Sequence, residues 1–339
     1  MRFSEIVGHR RLLTLLSRAI QRDSLPPTLL FVGASGVGKW RTALATAATV
    51  NCLEPVLSSS GDLPVDACGK CRSCDRIARG VHVDVPALEP DDRASIKIDI
   101  VRDLLQRVGY RPFEGKRRLV LIRDAETLEA SAQNALLKSL EEPPPATTFV
   151  LVTSVPGALL PTVRSRCMRL TFGRLTPAEL TAALVKDHGF SEAQARTTVP
   201  LANGSLGHAL GLSDEDVAAQ RDVAIRFLTQ TARRYEAQTR LQAASALFGP
   251  SKKEERSREE VAVILRFASS MLRDIEALNA GADQTVLANP MITNDLSALA
   301  RSFSGDRARD AFGALDKALM ALERNAGVKV VAEWLAVQI

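Results

Sequence analysis

Residues 28–40 read Thr28-Leu29-Leu30-Phe31-Val32-Gly33-Ala34-Ser35-Gly36-Val37-Gly38-Lys39-Trp40. Thr28–Val32 is a short apolar run ended by glycine, which is how a buried strand reads. From Lys39 to about Val50 the pattern is helical. Between the two lies a G-x-x-x-x-G-K loop. Its glycines let backbone N–H groups turn inward around phosphate oxygens. The helix N-terminus adds partial positive charge and Lys39 a full one. A strand entering such a loop and a helix leaving it predict an α/β domain of the P-loop type, with Gly33, Gly36, Gly38 and Lys39 as candidate nucleotide-binding residues.

The neighbouring segments agree. Arg118–Ile122 and residues 148–152 read as further buried strands, and residues 131–140 as a helix stopped by Pro143-Pro144-Pro145. Leu12, Leu13, Leu15, Leu16 and Ile20 form an apolar stripe on an earlier helix. Strands and helices in alternation imply a parallel sheet with helices on both faces. After Phe172 the strand signals almost vanish. Thr176 is placed to cap a helix that starts at Pro177, and a small helical unit runs to about Leu212. Ser213, with Asp216 three residues on, is placed to cap the next helix. Val261, Ile264, Leu265, Ala268, Met271, Leu272 and Ile275 then mark one face of a long amphipathic helix. The expected order is an α/β domain over 1–172, a small helical domain over 173–212 and a helical bundle over 213–339. Whether the 261–275 face is internal core or a subunit contact stays open at this level.

Composition limits the function classes. A chain of 339 residues implies two or three domains. The N-terminus lacks the apolar run of a signal peptide, and no apolar stretch approaches the roughly 20 residues needed to span a bilayer. The expectation is a cytoplasmic protein without a membrane partner. A net charge of +5 permits nucleic-acid contact and equally suits an ordinary soluble surface.

Two positions depart from a working ATPase, and both concern one ion. A Ser or Thr should follow Lys39 and bind magnesium through its hydroxyl, but Trp40 stands there. Thr42 is turned about 200° away on the helix and cannot substitute. The strand Arg118–Ile122 should end in a magnesium-binding Asp followed by a Glu that positions water. The chain has Arg123 and Asp124 instead, and a cation at that point repels a metal. The expectation is that Mg2+ is not bound and ATP is not hydrolysed. Asp124 holding the ion in a shifted register is the alternative. ATP or ADP can still be held weakly by the loop, or Trp40 can fill the pocket.

Four of the five cysteines fall in one window, Cys52, Cys68, Cys71 and Cys74. Two overlapping C-x-x-C spacings plus an upstream thiol can close a tetrahedral Zn2+ site with no position left for water, which predicts a structural metal. Free or redox thiols are the alternative. Cys167 stands alone and reads as a small core residue. The run Leu160-Pro161-Thr162-Val163-Arg164-Ser165-Arg166-Cys167 says little by itself, since surface arginines are common.

Taken with Ala132-Gln133-Asn134-Ala135-Leu136-Leu137-Lys138-Ser139-Leu140-Glu141-Glu142-Pro143-Pro144, these motifs resemble the bacterial clamp-loader subunits, the gamma/tau and delta-prime group of the AAA+ proteins. The likeness is close up to about Leu210. Ile6-Val7-Gly8-His9 resembles the group's I-V-G-Q, which places Val7 and Gly8 against an adenine. Gly204-Ser205-Leu206-Gly207 resembles its G-S-x-R, with the γ-phosphate-sensing Arg replaced by Gly207. Thr153 and Ser154 match the sensor-1 position. With Trp40, Arg123 and Gly207 departing together, the delta-prime branch fits better than gamma/tau.

The resemblance implies an AAA+ domain with a RecA-like sheet, a helical lid and a collar. It implies a hetero-pentameric ring with gamma/tau and delta subunits, within the DNA polymerase III holoenzyme. That ring acts on the beta sliding clamp and primer-template DNA. The chain would be its non-hydrolysing end member, with Arg166 of the Ser165-Arg166-Cys167 motif acting in trans on the neighbour's ATP. Two other readings remain: an active gamma/tau-like ATPase, and a zinc-dependent nucleic-acid-binding protein using Lys70, Arg72, Arg76 and Arg79.

Overall fold

Side chains along a strand alternate between its two faces, and in this chain both faces are apolar. The computed structural model describes residues 1–58, 62–90, 95–212, 214–232, 237–249, 256–281, 283, 287–289, 292–323 and 326–339. Strand β1 (Thr28–Val32) turns Leu29 and Phe31 into one core and Leu30 and Val32 into another. The same alternation holds in β5 (Arg118–Ile122) and β6 (Thr147–Thr153). Strands buried on both faces belong to parallel sheets covered by helices. With β4 (Ala87–Leu88) and β7 (Met168–Thr171), they form a five-stranded parallel sheet in the order β4-β5-β6-β1-β7. On one face lie α1 (Arg10–Gln21) and α2 (Lys39–Val50). On the other lie α4 (Ile98–Val108) and α5 (Ala130–Glu141).

Between α2 and β4 the chain forms an antiparallel ribbon, β2 (Val56–Leu57) with β3 (Val65–Asp66), and the short α3 (Arg72–Ala78). Ser17 ties α1 to this insert. Its hydroxyl donates to Val65 O at 2.6 Å and accepts from Val65 N at 3.0 Å. That pairing gives a polar residue a core position on α1 beside Leu13 and Leu16. Leu15, which the apolar stripe placed inward, is instead 50% exposed. Asp66 gathers the N–H groups of Phe3, Ser4 and its own neighbour Ala67 at 2.8–3.0 Å, fastening the N-terminal turn Phe3–Glu5.

The chain divides into two compact units, Met1–Leu180 with Ser205–Gly207, and Thr181–Gly204 with His208–Ile339. The elements beyond β7 are α7 (Pro177–His188), α8 (Glu192–Ala202), α9 (Leu206–Leu210), α10 (Asp214–Ala232), α11 (Ala237–Phe248), α12 (Arg258–Asn279), α13 (Thr293–Ala300), α14 (Asp306–Glu323) and α15 (Val328–Gln338). Thr176 and Glu179 bond reciprocally at the start of α7, and Ser257 with Glu260 closes a capping box on α12. The cap expected at Ser213 lies outside the described residues. All seven residues of the 261–275 stripe are at most 1% exposed and share a core with α10, α11, α14 and α15. That face is therefore internal packing in this chain.

One buried ion pair shapes the approach to β5. Arg118 and Asp84 meet at 3.0 Å, with side chains 8% and 0% exposed. Asp84 also accepts N–H bonds from Phe113, Glu114 and Gly115 at 2.8–2.9 Å. Arg118 donates to the carbonyls of Arg107, Val108, Tyr110 and Arg111, satisfying the end of α4. Burial alone pushes the Asp84 carboxyl up, but these donors outweigh it and hold it below the usual carboxylate range. Its stabilisation is therefore complete above the unfolded pKa, near pH 4, and is lost as pH falls through the lower folded value. Removing one member leaves the other charge buried and unpaired, so Asp84→Ala should cost on the order of 3–5 kcal/mol at pH 7. In urea titrations the gap to the unchanged protein should narrow below about pH 4. A gap that is the same at pH 7 and pH 3 would show that the charge is not what holds the loop.

Candidate functional site

The glycine-rich loop leaves the C-terminal end of β1, where β6 and β7 flank it on either side. Ligands of open parallel sheets collect at such ends. Gly33 N donates to Thr153 O of β6 at 3.3 Å, and a side chain at Gly33 would lie 2.5 Å from Phe172 O just beyond β7. Gly36 and Gly38 take φ values of 71° and 108°, which favour glycine. Among the backbone bonds of the described residues, the N–H groups of Ser35, Gly36 and Gly38 have no carbonyl acceptor. Lys39 is buried and donates to Gly33 O and Ala34 O, both at 2.7 Å. Burial pushes its ammonium down to about 8, against the pull of Glu126 and Asp124.

The segment before α1 closes one side of the loop. His9 Nε2 donates to Val37 O at 2.8 Å, and the ring meets Phe172 edge-on at 5.0 Å. Gly8 turns with φ 69°, and a Cβ there would fall 2.4 Å from Leu175. Val7 sits between this turn and Ile6, whose side chain approaches Gly38. Opposite them, Gly207 N donates to Gly36 O at 2.9 Å, and a Cβ at Gly207 would lie 2.8 Å from Gly36 Cα. The position that would carry a γ-phosphate-sensing arginine is thus backbone packed on the loop itself, with no room for a side chain.

The two departures at the magnesium position are in contact with each other. The Arg123 guanidinium carbon lies 5.7 Å from the centroid of the Trp40 ring, within cation–π range. Arg123 Nη1 bonds Glu89 Oε2 at 2.9 Å and Nε lies 3.6 Å from Asp124 Oδ2. Thr42 is fully buried with its hydroxyl on Gly38 O at 2.9 Å. Magnesium needs about six oxygen ligands in near-octahedral array. An indole ring and a guanidinium supply none of those oxygens, and the carboxylates near Lys39 are those of Asp124 and Glu126.

Glu126 is the residue the motif comparison did not single out. Its Oε1 accepts from Ser154 N at 3.0 Å and from the Ser154 hydroxyl, while its buried Oε2 has no partner. Burial pushes its carboxyl up, but the Ser154 bonds outweigh that and lower it. Asp124, in the left-handed region at φ 46°, is raised by burial and then by the like charge of Glu126. The only hint in the sequence was a second acid two residues after Asp124.

At the other end of the sheet, Ser165 and Arg166 precede β7. Thr28 Oγ1 donates to Arg166 O at 2.6 Å, which anchors the backbone. The guanidinium rests on Glu141 Oε2 at 3.1 Å and Thr162 O at 3.1 Å, with the side chain 32% exposed. A half-exposed pair of this kind is weak and can open for another anion. Ser165 donates to Thr162 O at 3.1 Å. Cys167 is buried, and burial pushes its thiol up to about 11.

The four remaining thiols converge. The sulfur atoms of Cys52, Cys68, Cys71 and Cys74 all lie within 4.8 Å of one another. Cys52 Sγ is 3.7 Å from Cys74 Sγ and 4.0 Å from Cys71 Sγ. A tetrahedral ion with 2.3 Å bonds would space its sulfurs at about 3.8 Å, so the donor set fits such an ion. Cys68 N, Cys71 N and Cys74 N donate to the sulfurs of Cys52, Cys68 and Cys71 at 3.3–3.5 Å, a pattern that favours thiolates. Nearby, Arg76 is bound to Glu114 and Val81 O, and Arg79 to Asp75. A basic cleft of about 660 Å³ lies elsewhere, along α1, lined by Arg10, Arg11, Arg18 and Arg22 with Leu15 and Met168.

Among the described residues, no helix is long and apolar enough to cross a membrane. Residues 8–176 match the family model described as DNA polymerase III, delta subunit. DNA polymerase III subunit delta' of Bacillus subtilis is 35% identical over 210 residues, covering 62% of this chain and 60% of that protein. The delta' of Pseudomonas aeruginosa is 40% identical over 141 residues, 41% of either chain. Subunit tau/gamma of Haemophilus influenzae is 30% identical over 64% of this chain, which spans only 31% of that relative's length. A DNA polymerase III gamma subunit-related protein of Thermotoga maritima aligns over 96% of this chain and 98% of its own, at 17% identity and a TM-score of 0.42.

The thiol geometry generates a direct test. Purified protein should carry one metal ion per cluster, and Cys71→Ser should abolish the metal and lower the melting temperature, because a folded-state metal site contributes folding free energy. A metal-free preparation whose melting temperature is unchanged by the substitution would rule the site out.

Proposed function

This chain belongs to the DNA polymerase III clamp-loader subunit family, and on that premise we propose that it serves as the loader's delta-prime-type member, a stator that does not hydrolyse ATP. Its AAA+ fold and its place among clamp-loader subunits are the premise; the division of labour is the proposal. The observation that carries it is the Trp40–Arg123 contact. Hydrolysis in P-loop proteins depends on a hydroxyl and a carboxylate around magnesium. Here both are replaced, and the replacements bind each other.

Arg166 then supplies what the chain does for catalysis elsewhere. Its backbone is fixed by Thr28, while among the described residues its guanidinium is held by an exposed carboxylate and one carbonyl. Such a group can leave Glu141 for the γ-phosphate on an adjacent gamma/tau subunit. In this reading Ser165 shapes the turn that presents it. Residues 173–212 act as the small helical domain, and 213–339 form the collar that joins gamma/tau and delta subunits into a hetero-pentamer. Through that assembly the chain acts on the beta sliding clamp and primer-template DNA. The four cysteines hold structural Zn2+, whose role is to stabilise the insert between α2 and β4.

The nucleic-acid-binding reading has one supporting feature, the arginine cleft along α1 rather than the residues around the cysteines. Arg76 and Arg79 are engaged with acids, and the cleft lining contains no aromatic side chain on which a base can stack. We therefore place any DNA contact second to the loader role.

The test is ATPase turnover by a loader reconstituted with this chain, clamp and primed DNA. The isolated chain should be inert. Arg166→Ala should slow the reconstituted complex by about 10³-fold at the site it serves, the scale of an arginine finger. Unchanged turnover in the variant complex, or magnesium-dependent turnover by the chain alone, would overturn the stator reading.

A further inference from the structure

The pocket lost its metal ligands without losing its phosphate cradle. Gly33, Gly36, Gly38 and Lys39 remain, and the loop N–H groups of Ser35, Gly36 and Gly38 have no carbonyl acceptor among the described residues. At the motif position of the metal-binding Asp stands Arg123, whose guanidinium sits over the Trp40 ring. Arg123 is held on two of its donors, Nη1 by Glu89 and Nε by Asp124, and Nη2 has no hydrogen-bond partner among the described residues. Its side chain is 44% exposed, so that free edge is reachable. A guanidinium offers a planar fork of donors matched to phosphate oxygens, and it stays charged at every relevant pH.

We propose that Arg123 replaces the divalent cation, so that this pocket binds a nucleoside di- or triphosphate as the metal-free anion. The reasoning is charge balance. A polyphosphate entering a P-loop carries more negative charge than one lysine can offset, and magnesium ordinarily makes up the difference. Here Arg123 supplies a second cation from within the chain, its charge shared with Glu89 and Asp124. Magnesium and Arg123 then compete for the same space, since two cations in one low-dielectric pocket repel. Trp40 is the seat that fixes Arg123, replacing the hydroxyl that would have fixed the metal. The two substitutions form one device, and reversing one without the other should not restore a metal site.

This inference deepens the reading of the site as non-hydrolysing, and it is tested separately from the reconstituted loader. Binding of a fluorescent ADP analogue to the isolated chain is measured in excess EDTA and in excess magnesium. The unchanged protein should bind more tightly in EDTA, because excess magnesium ties up the nucleotide as its complex and Arg123 repels that second cation. Loss of one charge-assisted donor costs about tenfold in affinity, so Arg123→Gln should weaken binding in EDTA by that factor. Arg123→Lys, which keeps the charge and loses the fork, should fall between. Trp40→Thr with Arg123→Asp should bind about tenfold more tightly with magnesium than without, while neither single change should do so. Melting temperatures check that each variant is folded, and Arg123→Gln is the fallback should the double variant not fold. Magnesium-enhanced binding by the unchanged protein, undetectable binding in both buffers, or an Arg123→Gln affinity equal to the parent in EDTA would each overturn the proposal. None of those outcomes bears on whether Arg166 acts in trans.

Discussion

The junction where β1 ends and the phosphate loop begins is the constraint that orders the first unit. β1 pairs with β6 on one side and β7 on the other, in continuous parallel register. Its last residue therefore has no freedom to turn except out of the sheet. Gly33 makes that turn against Thr153 O and Phe172 O, where a side chain has no space. A helix can only start where the loop returns to the sheet face, and α2 does so at Lys39. Everything placed around the loop, from His9 to Gly207, is placed relative to this turn.

Buried carboxylates do the rest of the positioning. Asp66 fastens the N-terminal turn that leads into the Ile6–His9 segment, and so links the cysteine insert to one wall of the loop. Asp84 and Arg118 fix the approach to β5, whose end carries Arg123. In the second unit, Asp274 accepts from Ala288 N, Asn289 N and the Asn289 amide at 2.7–3.0 Å. Each case exchanges water for several strong donors at once, which is how a buried charge becomes tolerable. These carboxylates hold irregular chain where a regular ladder of hydrogen bonds is unavailable.

Around the phosphate loop, the residues that depart from the motif are tied to one another or to the loop backbone. On the proposed non-hydrolysing reading, the space and the charge of an ion must be filled by side chains. Trp40 supplies the volume and Arg123 the charge. Gly207 brings backbone to Gly36 in place of an arginine side chain. At the far end of the sheet, Arg166 has a fixed backbone and a head held by Glu141 and Thr162 O.

By itself the sequence determined the strands β1, β5 and β6, the phosphate loop, the clustering of the cysteines and the departures at Trp40 and Arg123. Each is a matter of residue type at short spacing, where hydrophobic period, glycine and proline act locally. The amphipathic face of α12 was equally legible, but not what it packs against. Only the tertiary structure decided that this face is internal, that Ser17 takes a core position while Leu15 does not, and that Glu126 holds Ser154. It alone brought Trp40 against Arg123 and Asp84 against the 113–115 loop. The reason is the same in every case. The partners lie tens of residues apart, and their meeting depends on strand order and helix placement. No local pattern encodes those, because they are properties of how whole elements pack.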